Sequence, residues 1–266
     1  HAHTLVKCAA GCAPRVDAKK VFDGVKLLYT SSDDLTGDAK AGWDVLEGEA
    51  LRSEVEAIAK PQAVVFVDQI KSGNADKIGA GKQGLVELAK AKNCPNGHKL
   101  TRSAPSGQSC DECQRGGFVA PERIYSCRTC DFDLCQSCFE AFAIKSGDHY
   151  RAVVVLSVVP LRIAANDDIQ NAAKDVLEEI GQANGQTETE VIASVLAARE
   201  ASDRRVACDV LGQLGKAAEP HLGAVAERLA DRDGGVRVAA CEALGKHGEA
   251  AEPHLGAIAE RLADER

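Results

Sequence analysis

Apolar side chains in the first 92 residues recur at steps of three and four positions, the period of an amphipathic helix. Breaks in this stripe occur at Ser31, Pro61 and Ser72, beside other residues that favour turns or helix starts. The pattern predicts a helical region over residues 1–92, with a first stripe at 21–29 and further helices at 38–59, 61–70 and 75–92. Pro61 is predicted to begin a helix, because the N–H that proline lacks would be unpaired in a first turn.

A different pattern, an internal repeat with a period of 33 residues, occupies the C-terminal part of the chain. Residues 217–231 return as residues 250–264 with one conservative change. Each unit is predicted to form two helices joined by a glycine-bearing turn, with Pro220 or Pro253 opening the second helix. A weaker copy precedes them at residues 172–200. A lone helix pair cannot bury its apolar face, so the units are expected to stack as an α-solenoid.

Residues 231–245 resemble a HEAT repeat. That family places an aspartate at the end of one unit and a Val-Arg pair at the start of the next, which correspond here to Asp233, Val236 and Arg237. The resemblance covers roughly residues 167–266, and two of the three units match it well. It implies HEAT-like repeats in a C-terminal domain at residues 151–266.

The composition indicates a fold class and argues against some functions. Hydrophobic residues make up 45% of the 266 residues but aromatic residues only 4%, which favours packed helices over a β-sandwich and predicts a mainly α fold. The net charge of −8 comes from interspersed acidic and basic residues, without a basic stripe that could follow a phosphate backbone. We therefore expect protein partners, basic ones in particular, and no nucleic acid. No apolar run is long enough to span a membrane.

The most specific chemistry lies in residues 94–138, where seven cysteines and one histidine form four close pairs. C-x₂-C and C-x₃-H spacings favour zinc over disulfides, because one tight turn can deliver two ligands to the same ion. The pairs are Cys94/His98, Cys110/Cys113, Cys127/Cys130 and Cys135/Cys138.

Eight ligands suit two Zn²⁺ ions, since a structural zinc takes four. Only four residues separate Cys130 from Cys135, so the last two pairs can hardly serve one ion, and a cross-braced arrangement is predicted. All coordination positions would then be filled by protein, and metal catalysis is not expected because it needs an open position. The predicted ligand sets are Cys110, Cys113, Cys135 and Cys138 for one ion and Cys94, His98, Cys127 and Cys130 for the other.

Residues 110–113 (CDEC) and 125–139 (YSCRTCDFDLCQSCF) resemble a ZZ-type zinc finger. The family normally completes its second ion with two downstream histidines, but here only His149 follows. The upstream pair in Cys94-Pro-Asn-Gly-His98 is expected to replace them, as in ZZ-like variants that begin Cys-Pro-x-Gly-His, with His149 as the alternative ligand. The resemblance implies a small two-zinc module at residues 93–150. RING fingers fit the four-residue gap less well.

The same resemblance implies a site for a cation. In ZZ domains that bind protein N-termini, aspartates at the positions of Asp111, Asp131 and Asp133 hold a free α-amino group or a basic side chain. The alternative is structural: Asp131 or Asp133 caps a zinc knuckle, or pairs with Arg128 or Arg102.

The function that these patterns favour is a non-enzymatic zinc-binding adaptor or scaffold whose module docks a basic peptide or a free N-terminus. A structural accessory subunit of a large assembly, such as an organellar complex, and a component of the ubiquitin pathway are the alternatives. No hydrolase, zinc-protease or P-loop motif occurs, and the glycines at residues 79–84 are predicted to form a loose turn.

The compartment is not determined by any motif. Zinc-type cysteines favour an intracellular location, cytoplasmic or organellar, where thiols stay reduced. Because the chain begins at His1 and contains no Met, we expect that an N-terminal segment has been removed.

Overall fold

The structure is a computed structural model that describes residues 37–91, 100–111, 114–119, 121–254 and 256. Several predicted features lie outside these described residues. They are the apolar stripe at residues 21–29, the candidate metal ligands Cys94, His98 and Cys113, and the last copy of the repeat after residue 256.

The predicted mainly α class is confirmed, and the chain contains helical repeats. No helix in the described part of the chain is long and apolar enough to cross a membrane. The α-helices are α1 (Gly37–Lys71), α2 (Ala75–Ala89), α3 (Gln136–Val158), α4 (Asp167–Gln182), α5 (Glu188–Ser194), α6 (Ala201–Leu211), α7 (Leu222–Glu227) and α8 (Gly234–Lys246), and the strands are β1 (Thr101–Ser103), β2 (Ile124–Cys127) and β3 (Phe132–Cys135).

Helix α1 runs without interruption through Pro61, so the predicted helix start at this proline is wrong. Pro61 is exposed, and burial of the apolar stripe on both sides of it favours one helix. A proline in a helix interior costs about 3 kcal/mol, whereas each large apolar side chain contributes about 1.5–3 kcal/mol on burial. The stripe consists of Trp43, Leu46, Ala50, Val55, Ala59, Ala63, Val67 and Ile70.

The glycines at residues 79–84 lie inside α2, so the loose turn predicted there is also wrong. A Cβ atom on Gly81 would lie 2.6 Å from the carbonyl oxygen of Phe66, and one on Gly84 would overlap the Phe66 ring. These glycines therefore allow α2 to approach the last turns of α1 closely. Asn74 starts α2 by accepting a hydrogen bond from the Lys77 N–H at 3.1 Å.

Backbone contacts divide the chain into two compact units, His1–Pro61 with Lys90–Tyr150 and Gln62–Ala89 with Arg151–Arg266. The first unit holds an antiparallel sheet in the order β1-β2-β3. Its strands have only three or four residues, and their register pairs Arg102 with Tyr125 and Tyr125 with Leu134. The small core beneath them is Leu100, Cys110, Phe118, Ile124, Cys127, Leu134, Cys135 and Phe139.

The second unit contains the repeats, and the periodicity of the sequence reappears in its elements. Helix α6 is followed 33 residues later by α8, which begins at Gly234. The turn after α6 is a 3₁₀ helix at Gly215–His221, and its counterpart is Gly248–His254. A third pair of 3₁₀ helices, at Val195–Ala197 and Arg228–Ala230, has the same spacing. The first of them belongs to the weaker copy of the repeat.

Each repeat unit also reuses one hydrogen bond. A long side chain in the first helix of the unit donates to a backbone carbonyl six residues earlier, which fixes the chain entering that helix. The donor–acceptor pairs are Gln170 with Ala164, Arg204 with Ala198 and Arg237 with Asp231, at 2.6, 2.9 and 3.0 Å.

Arg204 makes a further, buried ion pair with Asp231. Two parallel bonds of 2.8 Å join its Nε and Nη2 to the carboxylate oxygens. Only 6% of the Arg204 side chain and 4% of the Asp231 side chain are exposed. The hydrogen bonds from Arg204 lower the pKa of Asp231 to about 2, against the opposing effect of burial.

Candidate metal centre

Two tight turns and one helix start place the cysteines of the first unit. In the turn at Cys110, the Gln114 N–H donates to the Cys110 carbonyl at 2.8 Å, and the Cys110 N–H donates to the Arg115 carbonyl at 2.8 Å. Gln114 and Asp131 have positive φ angles of 57° and 56°, so each turn reverses the chain within a few residues. Cys138 lies in the first turn of α3.

The sulfur atoms of Cys110, Cys135 and Cys138 lie within 4.8 Å of one another. In a tetrahedral site with metal–sulfur bonds of about 2.3 Å, neighbouring sulfurs are about 3.8 Å apart, so a small contraction would bring all three onto one ion. Cys110 and Cys135 are buried and Cys138 is partly buried, as expected for a structural centre. This cluster could hold a metal ion.

The surroundings of Cys135 favour the form of cysteine that binds metals. Burial raises the pKa of its thiol, but hydrogen bonds with Ser137, Cys138 and Cys110 lower it more, and the resulting pKa is about 6. A substantial fraction of Cys135 is therefore thiolate at neutral pH, and the thiolate is the species that coordinates metals.

Cys127 and Cys130 form a separate pair at the end of β2. The Cys130 thiol donates to the Cys127 sulfur at 3.2 Å. This distance is longer than a disulfide bond of about 2.05 Å, and both cysteines are free thiols. The two sulfurs can therefore act as neighbouring ligands. The predicted partners of this pair, Cys94 and His98, lie outside the described residues, as does Cys113, the predicted fourth ligand of the other cluster.

His149, the alternative ligand, lies in the middle of α3. It is eleven residues after Cys138, which corresponds to about 16 Å along a helix. Burial and the charge of Arg52 lower its pKa, while Asp148 and two glutamates of α1 raise it. Among the described residues, His149 is not part of a group of three close ligand atoms.

The three aspartates of the predicted cation site lie on the turns that carry the cysteines. The Asp111 N–H donates to the Asp133 carbonyl at 2.8 Å, and the Asp133 N–H donates to Asp111 Oδ2 at 2.6 Å. Asp111 therefore caps the turn, which is the structural role considered above for Asp131 or Asp133. Asp131 is exposed, whereas Asp133 is only 8% exposed. Within the described residues, neither Arg128 nor Arg102 forms an ion pair with these carboxylates.

The structure also contains a cavity that no sequence motif predicts. Its volume is about 320 Å³, and it lies beside β1 and the start of α3. Three arginines that are irregularly spaced in the sequence come together there. They belong to β1 and to the loop before β2, and both segments lie next to the start of α3. The charged residues of the lining are Arg102, Arg115, Arg123, Glu122 and Glu140.

Comparisons with known proteins leave the function open. No protein-family model and no curated protein sequence matches the chain. Two crystal structures of engineered proteins from the Northeast Structural Genomics Consortium align with most of it. The first is 14% identical over 94% of this chain and 89% of that chain, with a TM-score of 0.25. The second is 12% identical over 97% and 73%, with a TM-score of 0.31. Both TM-scores are below 0.5, so neither similarity bears on the fold or the function.

Proposed function

We propose that the protein is a non-enzymatic zinc-binding adaptor, in which a small two-zinc module docks the positively charged end of a partner protein. The observation that carries the proposal is the cluster of Cys110, Cys135 and Cys138 sulfurs within 4.8 Å of one another. Thiolate ligands favour soft or borderline metals, and zinc is the usual ion of closed cysteine sites.

The second zinc site would be built on Cys127 and Cys130, with Cys94 and His98 as the other two ligands. Its support is the 3.2 Å approach of the Cys127 and Cys130 sulfurs, together with the spacing of the upstream pair. In this arrangement every ligand position is supplied by protein, so the ions stabilise the module and perform no chemistry. Recognition then depends on the side chains around them.

The acidic face of the module is the proposed docking site. Asp133 is mostly buried, and among the described residues its carboxylate has no hydrogen-bond or ion-pair partner and still reaches solvent. A carboxylate without a protein partner can accept charge-assisted hydrogen bonds from a cationic ligand. Asp131 adds a second, exposed carboxylate, while Asp111 holds the backbone of Asp133 in place. A free α-amino group or a basic side chain would satisfy this site.

The HEAT-like repeats would provide the scaffold of the adaptor. Their repeated hydrogen bonds and the buried pair of Arg204 and Asp231 support a rigid array of stacked helix pairs. Arrays of this kind offer extended surfaces for other proteins. The net charge of −8 is consistent with basic partners.

The test is binding of a short peptide that begins with a free arginine to the full-length, zinc-loaded protein. We expect micromolar affinity, and a loss of at least about tenfold, or about 1.4 kcal/mol, in the double variant Asp131→Asn, Asp133→Asn. The same peptide with an acetylated N-terminus should bind much more weakly. Zinc content measured on the same samples verifies that the variant keeps its module. Equal affinity of the wild type and the double variant would show that the acidic face is not the docking site.

A further inference from the structure

The cavity beside β1 contains positive charge that the protein does not neutralise. Arg102 and Arg123 both line it, and among the described residues neither guanidinium has a hydrogen bond or an ion pair. Arg102 pairs across the sheet with Tyr125 of β2, and Arg123 comes immediately before β2, so both arginines lie beside the same strand pair. Two like charges that line one cavity repel each other unless a counter-ion lies between them.

The other charged side chains of the cavity already have partners. Arg115 forms an ion pair with Glu122, and Glu122 also accepts a hydrogen bond from the Val119 N–H at 3.1 Å. Glu140 accepts a hydrogen bond from the side-chain amide of Gln136. With three arginines and two glutamates, the charged lining has one net positive charge.

The acidic face described above does not supply the counter-ion either. Arg102 shares a row of the sheet with Tyr125 and Leu134, whereas Asp133 precedes Leu134 along β3. Adjacent residues of a strand point to opposite faces, so Arg102 and Asp133 project from opposite sides of the sheet.

Part of the cavity lining is apolar and is supplied by Phe118 and Pro121. Phe118 is buried and lines the cavity, and the guanidinium carbon of Arg115 lies 4.8 Å above the centre of its ring. The volume of about 320 Å³ is at the small end of the range for small-molecule sites. A ligand that fits this lining has one anionic group and a compact apolar or planar body.

We infer that this cavity is a binding site for a small organic anion, whose carboxylate or phosphate is held by Arg102 and Arg123 and whose apolar part lies against Phe118. Guanidinium groups bind both kinds of oxyanion through paired hydrogen bonds. The site does not depend on the proposed docking of a cationic N-terminus, since it uses other residues and the opposite charge.

Calorimetric titration of the full-length, zinc-loaded protein in a chloride buffer tests the inference, with benzoate, phenyl phosphate and inorganic phosphate as probes. We expect at least one aromatic anion to bind more tightly than inorganic phosphate, and the preference between benzoate and phenyl phosphate identifies the anionic group. The double variant Arg102→Gln, Arg123→Gln should bind the preferred probe at least about tenfold more weakly. The single variant Arg102→Gln, which changes only an exposed side chain, should show an intermediate loss.

A matched control removes the same amount of charge elsewhere. Arg128 and Lys71 are exposed and do not line the cavity, so the variant Arg128→Gln, Lys71→Gln should bind like the wild type. The inference is overturned if neither aromatic anion binds at millimolar concentration. It is also overturned if both double variants lose the same affinity, because the effect would then be one of net charge.

Discussion

The cysteine-rich module of the first unit and the helical repeats of the second achieve a folded state by different means. The module has strands of three or four residues, and three of the eight residues in its small core are cysteines. The repeats have helices of 11 and 13 residues, and their buried positions are mainly alanine, valine and leucine. One region is built around a cysteine cluster that could hold a metal ion, and the other around apolar packing.

This difference has an energetic consequence. Short strands with a small core bury too little apolar surface to be stable alone, so in the proposed zinc-binding module the bound metal would contribute much of the folding free energy. The repeats bury apolar side chains between successive helices and add a buried ion pair. We therefore expect removal of metal to unfold the module and to leave the repeats folded.

The largest expected effect is that of metal removal. Structural zinc sites contribute apparent binding free energies of about 10–16 kcal/mol in small domains, so chelation should unfold the module and leave the repeats intact. Amide hydrogen exchange would show this as lost protection in β2 and β3 with unchanged protection in α6 and α8. Cys110→Ser should act like the chelator, whereas Cys241→Ser, a thiol outside the cluster, should not. Equal loss of protection in both regions would contradict the comparison.

The next effect concerns the buried ion pair of the repeats. Replacing one member of such a pair leaves an uncompensated buried charge, so Asp231→Asn should destabilise the repeats by about 3 kcal/mol at pH 7. Urea unfolding, monitored through the amide hydrogen exchange of α6, measures this change in the free energy of unfolding. The exposed Glu227→Gln, a neighbouring change of charge, should alter stability by less than about 0.5 kcal/mol.

The same pair gives a pH dependence with a definite sign. The folded-state pKa of Asp231 is lowered from 3.8 to about 2, so its stabilising contribution is complete above pH 4 and is lost as the pH falls towards 2. The shift corresponds to about 2 kcal/mol. The stability difference between the wild type and Asp231→Asn should therefore narrow between pH 4 and pH 2. A constant stability difference between pH 4 and pH 2 would contradict the lowered pKa of Asp231.

The smallest effect separates two glycines at equivalent repeat positions. A Cβ atom on Gly212 would lie 2.8 Å from the Ala243 Cα, whereas one on Gly245 meets nothing within 4 Å among the described residues. Gly212→Ala should destabilise the repeats by about 1–2 kcal/mol through this overlap. Gly245→Ala should be neutral or slightly stabilising, because alanine favours helix. If both variants show the same change in thermal unfolding temperature, close packing at Gly212 does not cause the destabilisation.

Sequence patterns predicted the features that depend on local spacing. The 33-residue period identified the repeat helices, and the C-x₂-C spacing identified cysteines that come together, since a tight turn brings Cys127 next to Cys130. Local patterns failed where tertiary packing decides the outcome. Pro61 is a helix breaker by propensity, but burial on both sides keeps α1 continuous. The glycines at residues 79–84 suggest a turn, but they pack against Phe66.

The cavity was beyond sequence reasoning for a different reason. Arg102, Arg115 and Arg123 follow no period, and only the pairing of β1 with β2 and the position of α3 bring them together. Among the aspartates, the sequence pattern indicated proximity, but it could not separate the capping role of Asp111 from the carboxylate of Asp133, which has no partner among the described residues.

The most direct test of the central claim is zinc quantification in the intact protein and in two paired variants. We predict two zinc ions per chain, because eight ligands provide four for each ion. Cys110→Ser, Cys138→Ser should lose one ion, and Cys127→Ser, Cys130→Ser should lose the other, with the repeats still folded in each. A wild-type protein that contains no zinc, or only one ion that both paired variants lose, would contradict the two-site, cross-braced module.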